Sequence, residues 1–537
     1  MEVASPGHFL PQNTQNDFIA PKLNISDYDF SKDSGVKLKN ERIRKGACLA
    51  VLGTGSDVGK SIITTALCRF FARTGVRVAP FKAQNMSNNS GVTAEGLEMG
   101  RAQIVQAEAA GIPPHVDMNP VLLKPTSEIG SQVVLLGNVR ENTTAVDYHS
   151  KKETFFDTAA EALDRLRKSY DLVIMEGAGS CAEVNLMDSD IVNLRMAEHA
   201  CAPVILVADI HKGGVFAQIV GTLECLKPEQ RDLVKGFVIN RFRGDLRLFD
   251  SGINWIEEKT GKKVFGVLPW YNHINIEPED SVVIEQPKRV FSADRREPSI
   301  AVIRLPHISN FNDFDPLSVL KGLEVHFLEK VQDLSDFRAV ILPGSKNTRF
   351  DLNWLHSTGW AEKISAYSLQ GGHVLGICGG YQMMGDCVDD PDGLEGRPGS
   401  TEGLRLLPVE TELKAPKITT LTRFTWQKAP GSGYEIHMGQ SRIKGGTPLF
   451  QVVERNSTPA NDADGCVSTD SKSMGTYIHG LFENPDIARF WLQHIGLGDL
   501  EISDLGGLEA RNREYDRLAE YFESHIDTDE IVATLNL

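Results

Sequence analysis

The chain has 537 residues, too many for a single hydrophobic core, and its hydrophobic content of 41% and charged content of 24% indicate a globular protein of two or three domains. A net charge of −16 argues against nucleic acid as a partner, since a phosphate backbone would be repelled. No apolar run approaches the roughly 18 residues of a transmembrane helix, so no membrane partner is expected. The eight cysteines form no C-x-x-C pair, which favours a reducing compartment, and we expect a cytoplasmic location.

Residues 1–45 form a polar segment that contains three prolines and lacks an apolar stretch. Its four aspartates argue against an organelle transit peptide, which is usually poor in acidic residues. The composition predicts a disordered extension.

The stretch 47–61 predicts a phosphate-binding loop. A short apolar strand is followed by a glycine-rich turn, and then by a helix that begins at Lys60. Backbone N–H groups and the helix N-terminus attract an anion, Lys60 adds a positive charge, and the Ser61 hydroxyl can bind Mg²⁺. The predicted nucleotide contacts are Gly53, Thr54, Gly55, Asp57, Val58, Gly59, Lys60 and Ser61.

The spacing of this loop departs from the common P-loop pattern, which has a glycine where this chain has Thr54. Counted from Gly53, the turn has the form G-x5-G-K-S. It resembles the nucleotide loop of the dethiobiotin synthetase family, and that resemblance implies formation of an acyl phosphate or carbamate with ATP. An ordinary tight turn between a strand and a helix is the alternative.

A second strand is predicted at 77–81, and a long polar segment follows it directly. Ligand loops of α/β folds lie at this place, although clusters of Asn and Ser are usually only turns. Helices are predicted at 95–110 and 153–169. The candidates for contacting the acceptor carboxylate or the γ-phosphate are Lys82, Gln84, Asn85, Ser87 and Asn88.

A further apolar strand, at 171–176, ends in Glu176 and a glycine-rich turn. P-loop folds present a carboxylate to Mg²⁺ in this way, whereas a lone acid at a strand end is usually a cap. Because a P-loop lies upstream, Ser61 and Glu176 are the predicted Mg²⁺ ligands.

Three more strands, at 203–208, 235–239 and 264–267, complete the pattern of the first domain. Their alternation with helices predicts a doubly wound parallel sheet over 46–285, with ligands at the carboxyl ends of the strands. Asn240, directly after the second of them, is the candidate for contacting the adenine. The sequence predicts a linker at 286–298, a second α/β domain at 299–500 and a C-terminal helical segment at 501–537.

Cys378 lies between an apolar strand and two glycines that open a helix, which is the pattern of a nucleophile elbow. The sharp turn exposes the sulfur, and the helix N-terminus favours a thiolate. His479 follows another strand and is the candidate base, while backbone N–H groups at Gly344 and Gly379 are the candidates for the oxyanion hole. A lone cysteine is more often a small core residue, but the glycines argue against that here.

The segment 376–382 (GICGGYQ) together with His479 resembles the class I glutamine amidotransferase family. Members usually have a glutamate two residues after the histidine, where this chain has Leu481. That absence is typical of the cobyrinate-type branch. The group that orients His479 stays open, with Glu435 as a candidate.

A P-loop amidoligase domain followed by this amidotransferase domain resembles the cobyric acid synthase family over 47–526. The segments 80–90, 176–180, 240–245 and 342–348 are characteristic of it. The chain departs from the family at Cys181, where proline is common, and at His211 and Lys212, where an acid and an arginine are common.

The resemblance implies amidation of the b, d, e and g carboxylates of adenosylcobyrinic acid a,c-diamide to adenosylcobyric acid. It implies a corrinoid substrate, ATP and Mg²⁺, with L-glutamine as the ammonia donor. It is compatible with a homo-oligomer but does not fix the oligomeric state. The alternatives are a sister amidoligase acting at the a and c positions, a P-loop switch ATPase with an amidotransferase-like binding module, and a dethiobiotin-like ligase with an accessory domain.

Overall fold

The computed structural model describes residues 45–126, 130–271, 297–502 and 507–535. The described residues from 45 onward belong to one compact unit. The predicted extension at 1–45 lies almost wholly outside the described residues, and so does most of the predicted linker at 286–298. No helix within the described ranges is long and apolar enough to cross a membrane.

Strands and helices alternate in the first part of the chain, as their sequence pattern predicts. In chain order the strands are β1 (Ala47–Gly53), β2 (Val78–Phe81), β3 (Gln84–Met86), β4 (Ser90–Val92), β5 (Glu98–Gly100), β6 (Val121–Pro125), β7 (Gly130–Leu135), β8 (Asn138–Thr144), β9 (Leu172–Glu176), β10 (Val204–Asp209), β11 (Val234–Phe242) and β12 (Lys263–Pro269). The helices are α1 (Lys60–Arg73), α2 (Arg101–Ala109), α3 (Ala145–Ser150), α4 (Lys152–Ser169), α5 (Leu194–Ala200), α6 (Val215–Cys225), α7 (Pro228–Leu233) and α8 (Asp250–Thr260).

A parallel sheet of six strands forms the centre of this part, in the order β12-β11-β10-β1-β9-β2. Alternate residues of β1 enter two separate hydrophobic clusters, so both faces of the sheet are covered, and the strands are apolar throughout for that reason. The strand order reverses beside β1, which places the P-loop in the crevice where α/β folds bind ligands. The predicted doubly wound sheet is confirmed.

A smaller sheet and a hairpin follow β2. The sheet has the order β3-β6-β7-β8, and β4 pairs with β5 to form the hairpin 90–100. The prediction of a helix from 95 is wrong at its start, because α2 begins only at Arg101. A turn at Gly96 (φ +77°) sends Glu98–Gly100 back along β4, and this pairing takes the residues that the sequence pattern assigned to the helix.

The second part of the chain contains more strands than the sequence predicted. They are β13 (Ser299–Ile303), β14 (Ile308–Ser309), β15 (Glu324–Leu328), β16 (Ala339–Leu342), β17 (Gly344–Ser345), β18 (His373–Ile377), β19 (Cys387–Asp390), β20 (Gly399–Glu402), β21 (Val409–Glu412), β22 (Ile418–Trp426), β23 (Ala429–His437), β24 (Gln440–Ile443), β25 (Phe450–Arg455), β26 (Thr458–Asp464), β27 (Cys466–Val467) and β28 (Ser473–Thr476). The helices are α9 (Asp315–Ser318), α10 (Thr348–Thr358), α11 (Trp360–Leu369), α12 (Gly379–Met383), α13 (Pro485–His494), α14 (Gly507–Glu523) and α15 (Thr528–Ala533).

The second large sheet has the order β15-β13-β16-β18-β28-β27 and is parallel up to β28. Strands β18 and β28 are neighbours, with Ile377 opposite Thr476. The loops that follow these two strands therefore meet at one edge of the sheet. Two smaller sheets pack beside it: the mixed sheet β20-β19-β21-β24, in which β19 and β21 run parallel, and the antiparallel sheet β23-β22-β25-β26.

The C-terminal helices return to the first part of the chain. Phe522 of α14 is buried in the same cluster as α1, and Arg69 of α1 forms an ion pair with Asp516 at 2.8 Å. Ile526 pairs with Gly266 of β12. These helices lie within the predicted segment 501–537, and the domain boundaries themselves stay predictions.

Candidate active sites

The glycine-rich turn between β1 and α1 has the shape of an anion cradle. Gly59 has φ +96°, and no side chain of the described residues caps the N-terminus of α1. Lys60 is buried, and its Nζ donates to the carbonyls of Gly55 at 3.0 Å and Gly179 at 2.8 Å. The ammonium group therefore lies across the mouth of the turn, where it can meet a phosphate.

Asn240 supports the cradle from below. Its side chain is fully buried, and Nδ2 donates to the Val58 carbonyl at 2.9 Å while Oδ1 accepts from the Arg241 N–H at 2.9 Å. A Cβ on Gly59 would lie 2.1 Å from this Nδ2 atom. The predicted contact of Asn240 with the adenine stays a prediction, and its observed partner is the loop itself.

Glu176 is the centre of a buried polar cluster at the carboxyl end of β9. Its Oε1 accepts from Ser61 Oγ at 2.9 Å and from Lys82 Nζ at 2.9 Å, and its Oε2 accepts from Gln106 Nε2. Gln106, on α2, was not among the predicted residues. A helical sequence pattern does not distinguish a buried glutamine that contacts a site from one on the surface. The cluster brings the predicted Lys82, Ser61 and Glu176 together.

The donor set at Ser61 and Glu176 fits Mg²⁺. A hydroxyl and a carboxylate side by side are how P-loop proteins hold this ion, which takes its remaining ligands from phosphates and water. No group of three His, Cys, Asp or Glu side chains able to hold a metal occurs among the described residues. The binding of Mg²⁺ by Ser61 and Glu176 stays a prediction.

The other residues of the polar segment contact their own domain. Gln84 Oε1 accepts from the Tyr148 hydroxyl, Asn85 Nδ2 donates to Gln103 Oε1 at 3.1 Å, and Ser87 Oγ accepts from the Asn89 N–H at 3.0 Å. Asn88 Oδ1 is buried and makes no hydrogen bond to any described residue. The contacts of Gln84, Asn85, Ser87 and Asn88 with an acceptor stay predictions.

Cys378 sits at a strained turn between β18 and α12. Its φ of +52° and ψ of −108° are rare for a residue with a side chain, and such strain is found at functional sites. A Cβ on Gly380 would lie 1.9 Å from the Leu342 carbonyl oxygen, so the helix can begin this close to β16 only with glycine there. The thiol is buried, and Sγ donates to the Ile436 carbonyl at 3.5 Å.

Asp313 orients His479, and sequence reasoning missed it. His479 Nδ1 donates to Asp313 Oδ2 at 2.7 Å, and the Gly480 N–H donates to Oδ1 at 2.9 Å. Glu435 as the orienting acid is wrong, since its carboxylate accepts from Thr422 and Arg455 and faces His437. The available signal was a polar run, 309–315, in the loops that follow the first strand of the domain.

The surroundings of His479 favour its charged form. Burial by itself would lower the pKa, but the Asp313 carboxylate and the Cys378 thiolate raise the pKa of His479 to about 10. Because Asp313 occupies Nδ1, Nε2 is the nitrogen available for proton transfer with Cys378. The arrangement places a charged imidazole beside Cys378, and such a neighbour activates a cysteine nucleophile.

The two glycines predicted for the oxyanion hole both border this pair. A Cβ on Gly344 would lie 3.0 Å from His479 Cε1, and one on Gly379 would lie 2.8 Å from the Ser345 nitrogen. Gly344 and Ser345 form β17, which pairs with β14. The backbone around Cys378 is therefore close-packed, and the oxyanion contacts of Gly344 and Gly379 stay predictions.

Comparison with known families matches both parts of the chain. Residues 49–282 match the CobQ/CobB/MinD/ParA nucleotide binding domain, and residues 299–487 match the CobB/CobQ-like glutamine amidotransferase domain. The protein thus joins a nucleotide-binding domain of the P-loop class to a glutamine amidotransferase domain, as its fold class predicted.

The chain belongs to the cobyric acid synthase family. It is 52% identical to the cobyric acid synthase of Chlorobium phaeobacteroides (strain BS1), covering 89% of this chain and 97% of that protein. It is 48% identical to that of Chlorobaculum tepidum, covering 91% and 98%, and 46% identical to that of Salmonella arizonae, covering 89% and 96%. The family predicted from the sequence motifs is confirmed.

Proposed function

We propose that this protein uses ATP and glutamine to amidate the b, d, e and g carboxylates of adenosylcobyrinic acid a,c-diamide, giving adenosylcobyric acid in cobalamin biosynthesis. The observation that supports the proposal is the presence of two candidate sites in a member of the cobyric acid synthase family. One is the phosphate cradle with the Ser61–Lys82–Glu176 cluster, and the other is Cys378 with His479 and Asp313.

The first site activates the carboxylate. A carboxylate is a poor electrophile, so ATP converts it to an acyl phosphate, with ADP as the leaving group. Lys60 and the N–H groups of the loop stabilise the phosphates, and Lys82 holds the acceptor carboxylate or the γ-phosphate. Mg²⁺ bound by Ser61 and Glu176 would neutralise phosphate charge. Ammonia then attacks the acyl carbon, and phosphate leaves.

The second site supplies the ammonia. The Cys378 thiolate attacks the side-chain amide carbon of glutamine, while N–H groups at Gly344 and Gly379 stabilise the oxyanion. His479 Nε2 gives its proton to the departing ammonia. The same nitrogen then takes a proton from water, which attacks the thioester. The thioester bond breaks to give glutamate and the Cys378 thiolate, with the proton again on His479 Nε2.

Mass spectrometry of the acceptor, incubated with the protein, ATP, Mg²⁺ and glutamine, tests the reaction. Each conversion of a carboxylate to an amide lowers the mass by about one unit, so the steps can be counted. Four ATP-dependent steps support the proposal. Two steps on unmodified cobyrinic acid, with none on the diamide, would support the sister amidoligase instead. Hydrolysis of ATP and glutamine without a mass change would show that the acceptor is wrong.

Two further predictions accompany this function. The family chemistry and the reducing compartment indicated by the cysteines favour a location in the cytoplasm. A homo-oligomer is compatible with this function. Fractionation of the source cells and the molar mass of the protein in solution test them.

A further inference from the structure

The β4–β5 hairpin (90–100) belongs to the nucleotide-binding domain but contacts the amidotransferase domain beside the Cys378–His479 pair. The Ser90 N–H donates to Asn310 Oδ1 at 2.9 Å, and both residues are buried. Val92 packs against Tyr434 and Ile436 in a small buried cluster. The hairpin therefore makes a polar and an apolar contact with the second domain within three residues.

The polar contact leads to His479. Asn310 has a left-handed conformation, with φ +51°, and precedes the short turn 311–314. Its carbonyl accepts from the Asp313 N–H at 3.1 Å, and Asp313 in turn holds His479 Nδ1. Fixing the Asn310 side chain thus fixes the first residue of the turn that carries the orienting carboxylate.

The apolar contact leads to both members of the pair. The Tyr434 ring stacks on the His479 ring, with centroids 5.2 Å apart and planes at 19°, and the two backbones exchange hydrogen bonds. The Ile436 carbonyl accepts from Cys378 Sγ. Val92 therefore supports the two residues that border the imidazole and the thiol.

A buried ion pair anchors the other strand of the hairpin. Glu98 accepts from Lys124 of its own domain at 2.7 Å and from Lys417 of the second domain at 2.6 Å, and all three side chains are buried. Burial would raise the pKa of Glu98, but the two ammonium groups hold it well below its usual range. Separating Glu98 from either lysine would leave a buried charge without its partner, so these two ion pairs hold the hairpin against the second domain.

We propose that the β4–β5 hairpin is a positioning element of the glutaminase site, with Asn310 as its main link to His479. This inference rests on the proposed function. It means that the nucleotide-binding domain completes the second site, so the hydrolysis of glutamine depends on the fit between the domains.

The test compares the variant Asn310→Gly with the unchanged protein. Glycine tolerates φ +51°, and the substitution removes the buried side chain that accepts the Ser90 N–H. We expect kcat for glutamine hydrolysis to fall about 10- to 100-fold, because a misplaced catalytic group costs that much, with little change in KM. The basic limb of the pH profile should move to lower pH as Asp313 loosens. Amidation with ammonium chloride should stay within about twofold of the unchanged protein.

Asn456→Gly is the matched control. Asn456 also has a left-handed conformation (φ +46°), lies against the hairpin at Gly96, and accepts a backbone N–H, from Leu421 at 2.8 Å. Among the described residues, its hydrogen bonds go to Leu421 and Thr419 and not to Asp313 or His479. We expect it to leave kcat and the pH profile unchanged. Asn310→Asp, which keeps the acceptor, should restore most of the activity.

Equal behaviour of Asn310→Gly and Asn456→Gly overturns the proposal. An equal loss of ammonia-dependent and glutamine-dependent amidation also overturns it, because the contact would then serve the first site. If Asn310→Gly does not fold, Val92→Ala gives the same readout through Tyr434 and Ile436. If the protein without any substitution showed no glutaminase activity, that result would contradict the proposed function itself.

Discussion

At the scale of single residues, Cys378 and Lys60 belong to different proposed sites, one for glutamine hydrolysis and one for carboxylate activation. The thiol belongs to the edge of the second sheet, and the ammonium group belongs to the P-loop of the first. In the proposed mechanism, glutamine hydrolysis uses no atom of the phosphate cradle, and phosphorylation of the carboxylate uses no atom of the thiol.

Cys378→Ala should therefore abolish amidation with glutamine and spare amidation with ammonium chloride. Loss of a nucleophile lowers kcat by at least about 1,000-fold. The measurement is acceptor amidation with each nitrogen source. Cys201→Ala is the control, since Cys201 is exposed and also has a positive φ, of +52°. Equal loss with both nitrogen sources would contradict the separation of the sites.

Asp313→Asn should change the pH dependence of the second site. The carboxylate helps to raise the pKa of His479 to about 10, so the imidazole of the unchanged protein keeps its charge well above neutral pH. The amide lacks the negative charge of the carboxylate, so the imidazolium loses its proton at lower pH. The basic limb of glutaminase kcat/KM should move to lower pH, and kcat should fall by about 100-fold or more.

The variant Glu435→Gln is the control for Asp313→Asn, because it also removes a buried carboxylate near the site. Its carboxylate is buried near His437 and not at His479 Nδ1. We expect its pH profile to match that of the unchanged protein. A basic limb that stays in place in Asp313→Asn, or moves only in Glu435→Gln, would contradict the assignment.

At the scale of the element, the loop between β1 and α1 depends on Gly59. A Cβ there would have to occupy the space of Asn240 Nδ2, the atom that supports the Val58 carbonyl. Gly59→Ala should displace the loop and weaken ATP binding by about tenfold or more, since the N–H groups of a cradle act only when aimed together. Titration calorimetry with ATP measures this.

Gly75→Ala is the control for backbone strain. Gly75 has φ +86°, similar to Gly59, but a Cβ on it would meet nothing within 4 Å. It should lower stability by about 1 kcal/mol and leave ATP affinity unchanged. If both variants lost ATP affinity equally, strain alone would explain the effect, and the role of Asn240 beneath the loop would be wrong.

Elements whose residues are adjacent in sequence could be predicted. The P-loop, β9 with Glu176 and the elbow at Cys378 each fit within a short stretch, because one turn fixes all their groups. The helix α2 was predicted to start too early, since Glu98–Gly100 carry a helix-compatible pattern but pair with β4. Tertiary pairing overrides local preference there.

Partners distant in sequence could not be predicted. Asp313 and His479 are 166 positions apart and meet only because their strands share one sheet edge. Gln106 reaches Glu176 from a helix with no distinguishing motif. The two smaller sheets beyond α12 bring together strands with mixed burial patterns. The hairpin contact with Asn310 depends on how the two domains meet.

At the scale of the whole molecule, the helix α14 near the C-terminus contacts both the first and the second part of the chain. Arg511 of α14 pairs with Glu108 of α2 at 2.8 Å and with Glu483 of the second part. The C-terminal helix thus covers α1 and also bridges the two domains. Its buried face supplies the apolar contacts with the first domain, and the ion pairs of Arg511 beside it are partly buried.

Phe522→Ala tests the contact of α14 with the first domain. Phe522 is 1% exposed and packs in the cluster that contains α1, so its truncation should cost about 3–5 kcal/mol, from lost burial and the cavity left behind. The midpoint of thermal unfolding and the retention of ATP binding on warming measure it. Leu369→Ala is the control, since Leu369 is 89% exposed at the end of α11. Because α1 begins at the P-loop, ATP binding should be lost at lower temperature in Phe522→Ala than in Leu369→Ala. Equal melting of the two variants would mean that α14 contributes no more to the first domain than a surface residue does.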